Sequence, residues 1–138
     1  MARHLYRCPL RWADMDVYGI VNNVAYLRYL EEARVDLIFR MGPTDGDAFF
    51  KDGSVVVSHE IRYRQQLAHR HEPVDIEMWV SYLDSATVAV DYEVKDGDTL
   101  YATASTVMAP FDYRRGRPRR LTDEETRFFE KYLVERAG

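Results

Sequence analysis

A single cysteine, Cys8, stands in the 138-residue chain. No disulfide can therefore close within it, and such sparing use suits a reducing compartment. No apolar run reaches the ~18 residues of a membrane helix, and no charged-then-apolar leader opens the sequence. A soluble, cytoplasmic protein without a membrane span is the expectation. Excess charge of one sign is also lacking: 19 basic against 23 acidic residues leave a net charge of -4. That balance gives no overall electrostatic footprint for nucleic acid, so an anionic partner has to meet a local patch. Repeats, low-complexity tracts and linkers are absent. One domain over residues 1–138 is expected, long enough to bury roughly two thirds of its surface.

What is present is periodicity. Tyr6, Cys8, Leu10 and Trp12 alternate at the period of a strand, which Pro9 confines to an edge or an end. From Asn22 the period becomes helical, with Leu27, Leu30, Ala33, Leu37, Ile38 and Met41 on one stripe and Arg28, Glu31, Glu32 and Asp36 elsewhere. Val24, Tyr26, Tyr29 and Val35 extend the apolar surface, so this helix of about five turns should be mostly buried, ending at Gly42-Pro43. Pairing of Glu31 with Arg34 and of Arg28 with Glu32 is expected on its polar side. Four further alternating segments follow, over residues 55–63, 74–82, 88–94 and 100–108, the last two joined by a Gly-containing turn in KDGD. Thr122 and Glu125 stand at capping-box spacing before an apolar face of Phe128, Phe129, Tyr132 and Leu133. The order predicts an α+β fold, a sheet wrapped on one face around a long helix, with a short C-terminal helix.

The segment DMDVYGIVNNVAYLRYLEEAR resembles the signature of hotdog-fold acyl-CoA thioesterases of the 4-hydroxybenzoyl-CoA thioesterase type, in which Asp-x-Asp-x-x-Gly-x-Val leads into the central helix. The resemblance covers most of the chain. It implies the hotdog fold, a curved antiparallel five-stranded sheet around a long central helix. It further implies homodimers with active sites at the subunit interface, pairing into a homotetramer, and hydrolysis of a fatty or aromatic acyl-CoA. No cofactor is implied, since coenzyme A is part of the substrate. By match to the motif, Asp16 is the carboxylate that serves as base or nucleophile, and the backbone N–H of Asn23 polarises the thioester carbonyl. Elementary physics is consistent with that assignment, because a helix start offers unpaired N–H groups and the positive end of the macrodipole. Gly19 lets the backbone turn tightly and leaves room for the substrate chain. Asp14 is expected to orient the loop by accepting turn N–H bonds.

Tyr18, Asn22 and Tyr26 are candidate substrate contacts beside this carboxylate, Asn22 doubling as a helix cap. Tyr26, Tyr29, Tyr63 and Trp79 are candidates to shape the acyl pocket. Glu31 is the second candidate base, because a helix glutamate serves in other hotdog enzymes. Many relatives carry histidine after the glycine or near the helix start, where this chain has Ile20 and Asn23. The water must then be held by Asp16, a side-chain amide or backbone groups. His59, on the apolar side of its strand, is expected to be a hydrogen-bonded core or interface residue.

Five arginines crowd RRGRPRR, residues 114–120. Arg114, Arg115, Arg117, Arg119 and Arg120 therefore include candidate contacts to the phosphates of coenzyme A, which arginine recognises bidentately. A solvated loop balancing the acidic TDEE start of the last helix is the other reading. No metal is expected: an EF-hand match fails at Tyr18 and Ala25, and His69 and His71 lack a partner set with metal-ligand spacing. A hotdog module that binds an acyl thioester or acyl carrier chain without cleaving it is the alternative function.

Overall fold

A strand that runs into Pro9 loses its next ladder donor, and β1 (His4–Cys8) stops there rather than continuing to Trp12. The computed structural model describes residues 3–41 and 53–134. A short 3-10 turn, Trp12–Asp14, leads through the signature loop to helix α1 (Asn23–Val35). Strands β2 (Ser54–Tyr63), β3 (Val74–Asp84), β4 (Thr87–Asp96) and β5 (Thr99–Asp112) follow. A two-residue strand β6 (Arg117–Pro118) and helix α2 (Asp123–Glu130) complete the order. All pairings are antiparallel, in the order β1-β3-β4-β5-β2, with β6 on the far end of β5. β2 is therefore an edge strand.

Alternation explains the core. Val74, Ile76, Met78 and Val80 of β3 and Val88, Val90, Tyr92 and Val94 of β4 are all buried toward α1. Each such side chain contributes about 1.5 to 3 kcal/mol by leaving water. Trp79 lies on the opposite face of β3, its ring 4.0 Å beneath the Arg3 guanidinium, and so cannot shape a pocket against α1. Beyond the register shift at Val80/Tyr82, the Val80 N–H and C=O bond Tyr132 and Val134. This anchors the segment after α2, whose Phe128 and Phe129 are buried.

The buried side of α1 consists of the pairs Ala25/Tyr26, Tyr29/Leu30 and Ala33/Arg34, continued by Leu37/Ile38. Pairs spaced by four residues overshoot a 3.6-residue turn, so the stripe drifts around the helix by about 40° per turn. At Asp36 the helix widens into a π-type turn, Asp36–Met41, which turns the stripe back. The drift explains why Leu27, expected inside, is exposed together with Val24 and Val35. Gly42-Pro43, the expected stop, lies outside the described residues.

Candidate active site

Asn22 caps α1: its Oδ1 accepts the Val24 N–H at 2.8 Å, while its carbonyl takes the Ala25 N–H at 2.9 Å. Of the first-turn donors, the Asn23 N–H has no acceptor among the described residues. A helix start leaves such groups unpaired by construction. Ahead of the cap, residues 16–19 form a tight turn closed by the Gly19 N–H on the Asp16 carbonyl at 3.0 Å. Gly19 carries it at φ +74°, a left-handed conformation that L side chains adopt only with strain.

Asp16 Oδ1 accepts the N–H groups of Tyr18 at 2.8 Å and Ile20 at 3.2 Å. The turn-holding role expected of Asp14 thus belongs to Asp16. Asp16 Oδ2 accepts no hydrogen bond from the described residues. Asp14 is buried instead and meets Arg11 through Nε at 3.2 Å and the terminal nitrogen at 3.0 Å, with the Tyr29 hydroxyl at 2.9 Å. The Arg11 guanidinium, aided by Tyr29, holds the Asp14 carboxyl below its ordinary value. Asp14 is a fixed anion whose place is to anchor the turn against α1.

The wall facing this loop comes from the segment after β2. Backbone bonds from Val21 N–H to the Leu67 carbonyl (2.8 Å) and from His69 N–H to the Gly19 carbonyl (3.1 Å) dock the two segments. Between them opens a cleft of about 400 Å³ lined by Asp16, Asn23, Tyr26, Tyr63, Arg64 and Leu67, with Ile20, Val21, Gln65 and Gln66. Asp16, Asn23 and Tyr26 are thus brought together, with Gly19 in the adjoining turn. Tyr18 projects into solvent, 82% exposed, and Asn22 is occupied as the cap. Tyr29 faces a separate cavity of about 360 Å³ beside Cys8 and Asp14. There the Cys8 thiol is pushed up to about 12 by burial and the charges of Glu32 and Asp14, which keeps it protonated and unreactive.

Glu31 is exposed on α1 and does not line the cleft. Its expected partner Arg34 is buried and donates to the Tyr92 hydroxyl at 3.1 Å. Tyr92 in turn donates to Thr106 Oγ1 at 2.9 Å, and His59 Nδ1 lies 2.9 Å from the same oxygen. Burial, together with the Arg34 charge and against the pull of Glu31, holds His59 below its ordinary value. Thr106→Val keeps the shape but strands the Tyr92 hydroxyl, and is expected to cost about 1 to 3 kcal/mol in urea unfolding. A loss under about 0.5 kcal/mol would show that the contact is energetically idle.

Arg119 is committed to structure, contacting both Glu125 carboxylate oxygens at 2.9 and 3.0 Å and the Gly53 carbonyl at 3.0 Å. Arg114 and Arg115 lie in the turn whose backbone N–H groups bond Asp112 Oδ1, and Arg117 stands in β6. His69 and His71 stack edge-on with centroids 5.9 Å apart, and His69 stacks likewise on Trp12 at 5.4 Å. Among the described residues no group of three or more His, Cys, Asp or Glu side chains is placed to hold a metal ion.

An antiparallel sheet wrapped around one helix, on a sequence that matches a thioesterase family, makes the chain a hotdog-fold thioester hydrolase. Residues 10–129 match the thioesterase-like superfamily, and the chain belongs to that family. Three solved structures show the same fold. A predicted thioesterase from Bacillus stearothermophilus superposes with a TM-score of 0.83 at 17% identity, over 99% of this chain and 100% of that one. The PA2801 protein of Pseudomonas aeruginosa gives 0.77 at 27% identity over 87% and 92%. A Thermus thermophilus thioesterase complexed with coenzyme A and zinc gives 0.78 at 23% identity over 93% and 92%. No curated protein sequence matches the chain.

No described helix is long and apolar enough to cross a membrane. The cleft wall at residues 64–67 has no local sequence signal. It is in place only because the Val21 to Leu67 and His69 to Gly19 bonds bring two distant loops together.

Proposed function

We propose that the chain is a cytoplasmic acyl-CoA thioesterase that cleaves its substrate in the Asp16 cleft, with the thioester carbonyl oxygen on the Asn23 N–H. Asp16 acts through Oδ2, the oxygen the turn leaves unoccupied. As general base it takes a proton from water, whose oxygen adds to the carbonyl carbon. The tetrahedral intermediate then expels the coenzyme A thiolate, which is protonated. As nucleophile the same oxygen would add directly, giving an anhydride that water opens. The observation that carries this reading is the convergence of Asp16 and an unpaired helix N–H on one cleft. Release of free thiol from short, medium, long and aromatic acyl-CoAs tests it. Binding of every member with turnover of none would overturn hydrolysis in favour of a binding module.

The unit of function in this reading is a homodimer, with pairing into a tetramer as a further step. Among the described residues β2 has an unpaired edge and exposes Val56 and Val57, and α1 exposes Val24, Leu27 and Val35. Unpaired edges of this length invite strand addition. Within one chain, ten residues of β2 at about 3.3 Å each separate the Tyr63 end, at the cleft, from the arginine turn near Ser54. Antiparallel pairing of two β2 edges would carry each arginine turn toward the other chain's cleft. Arg114 and Arg117 then serve the coenzyme A phosphates across the interface. Replacing both by alanine is expected to raise KM for acyl-CoA by about 10-fold, on the scale of a lost charge-assisted contact, and to spare small thioesters lacking the nucleotide. Equal effects on the two substrates would remove the arginines from substrate binding.

A further inference from the structure

Tyr63 ends β2 and stands at the cleft with its hydroxyl donating to the Asn23 carbonyl at 3.2 Å. The ring is set edge-on against Tyr26, centroids 5.2 Å apart at 72°. Tyr26 is only 3% exposed, so it forms a fixed wall for Tyr63 to rest on. Burial raises both phenols, Tyr26 to about 12. Each is a neutral O–H at working pH.

The carbonyl that Tyr63 holds and the Val24 N–H belong to one peptide unit. Asn22 Oδ1 takes that N–H at 2.8 Å, so the Asn23–Val24 peptide is gripped at both ends. The preceding unit is fixed through the Asn22 carbonyl, which accepts the Ala25 N–H at 2.9 Å. Of the four backbone polar groups in the two peptide units that flank Asn23, three are thus engaged and its own N–H, the one aimed at chemistry in the proposed mechanism, is left. A donor that is immobile before substrate arrives stabilises developing charge without reorganising.

We propose that Tyr63 is a positioning residue: with Asn22 it clamps the Asn23–Val24 peptide and so presets the Asn23 N–H at the cleft. The role of that N–H in catalysis rests on the thioesterase reading above; the clamp itself does not. A tyrosine whose hydroxyl instead met substrate would act on binding, whereas the clamp acts on the step in which charge develops on the carbonyl oxygen.

Two measurements test it on the full chain. In thiol-release kinetics, Tyr63→Phe, which removes only the hydroxyl, is expected to lower kcat about 3- to 10-fold, the scale of one neutral hydrogen bond, with KM unchanged. Asn22→Ala lowers kcat similarly, Asn22→Ser restores it, and the double variant loses less than the product of the single losses, because both side chains hold one peptide. Wild-type kcat in Tyr63→Phe, or a change confined to KM, overturns the proposal. The second measurement is solvent exchange of the Val24 amide by NMR, which needs no turnover. Exchange several-fold faster in Tyr63→Phe supports the clamp and an unchanged rate refutes it, whatever the activity. A wild type that hydrolyses no thioester but shows faster exchange in the variant removes the catalytic reading and leaves the clamp standing.

Discussion

Asp16→Asn is expected to lower turnover by about 10² to 10⁴ with the melting temperature unchanged, the loss typical of a positioned acid or base. The substitution isolates the chemistry because of how the turn is built. Only Oδ1 accepts the Tyr18 and Ile20 N–H groups, and an asparagine oxygen can accept both, so the loop keeps its shape. What disappears is the charge and the proton-accepting power of the second oxygen. Asp16→Ala, in contrast, removes the acceptor as well, and should lose stability in addition to rate. Wild-type turnover in the asparagine variant would end the assignment of Asp16. Turnover lost in the alanine variant alone would make Asp16 a loop anchor.

The second large effect is structural and lies outside the cleft, in the first turn of α2. Glu125 is 1% exposed, receives both arms of Arg119, and also accepts the Thr122 N–H at 2.8 Å as half of the α2 capping box. Burial alone would raise its carboxyl, but the Arg119 and Thr122 bonds outweigh burial and hold it below its ordinary value of 4.5. Glu125→Ala leaves the Arg119 charge unmatched in a largely buried site, and is expected to cost about 3 to 5 kcal/mol in urea unfolding at neutral pH. The pH dependence has a defined sign. Between the folded value and 4.5 the unfolded chain binds the extra proton, so the contribution of Glu125 is complete above 4.5 and is lost as pH falls through the folded value. The variant should therefore show a flatter decline of stability with acid than the wild type. Parallel declines would mean that the pair carries no net stability. This ion pair also separates the arginines functionally: an Arg119 variant should unfold more easily, whereas Arg114 and Arg117 variants should not.

Local chemistry was readable where neighbours in sequence decide the outcome. Thr122 and Glu125 announce the capping box three residues apart, Pro9 ends β1, and the alternation of Val74 to Val80 gives both the strand and its buried face. The loop of the proposed site is local in the same way: Asp16, Gly19 and Asn23 sit within eight residues of one another. What the sequence could not show depends on partners far along the chain. Arg34 reads as a surface cation on α1, yet Tyr92 of β4 draws it inside. Trp79 reads as a pocket aromatic until the parity of β3 puts it on the outer face under Arg3. Leu27 reads as core because a helix stripe is assumed to run straight, and this one drifts. Arg119 reads as one of five equivalent arginines until Glu125, folded back over it, singles it out.

The chain of contacts from Arg34 to His59 has a fixed direction at its inner end. A guanidinium only donates, so the Tyr92 oxygen accepts from Arg34 and spends its own proton on Thr106. Thr106 is fully buried, and its hydroxyl oxygen also meets His59 Nδ1 at 2.9 Å. His59, on the edge strand β2, is thereby tied through Thr106 and Tyr92 to Arg34 of the central helix. Any molecule that meets this edge encounters an imidazole whose placement is tied to the central helix, on the other side of the core.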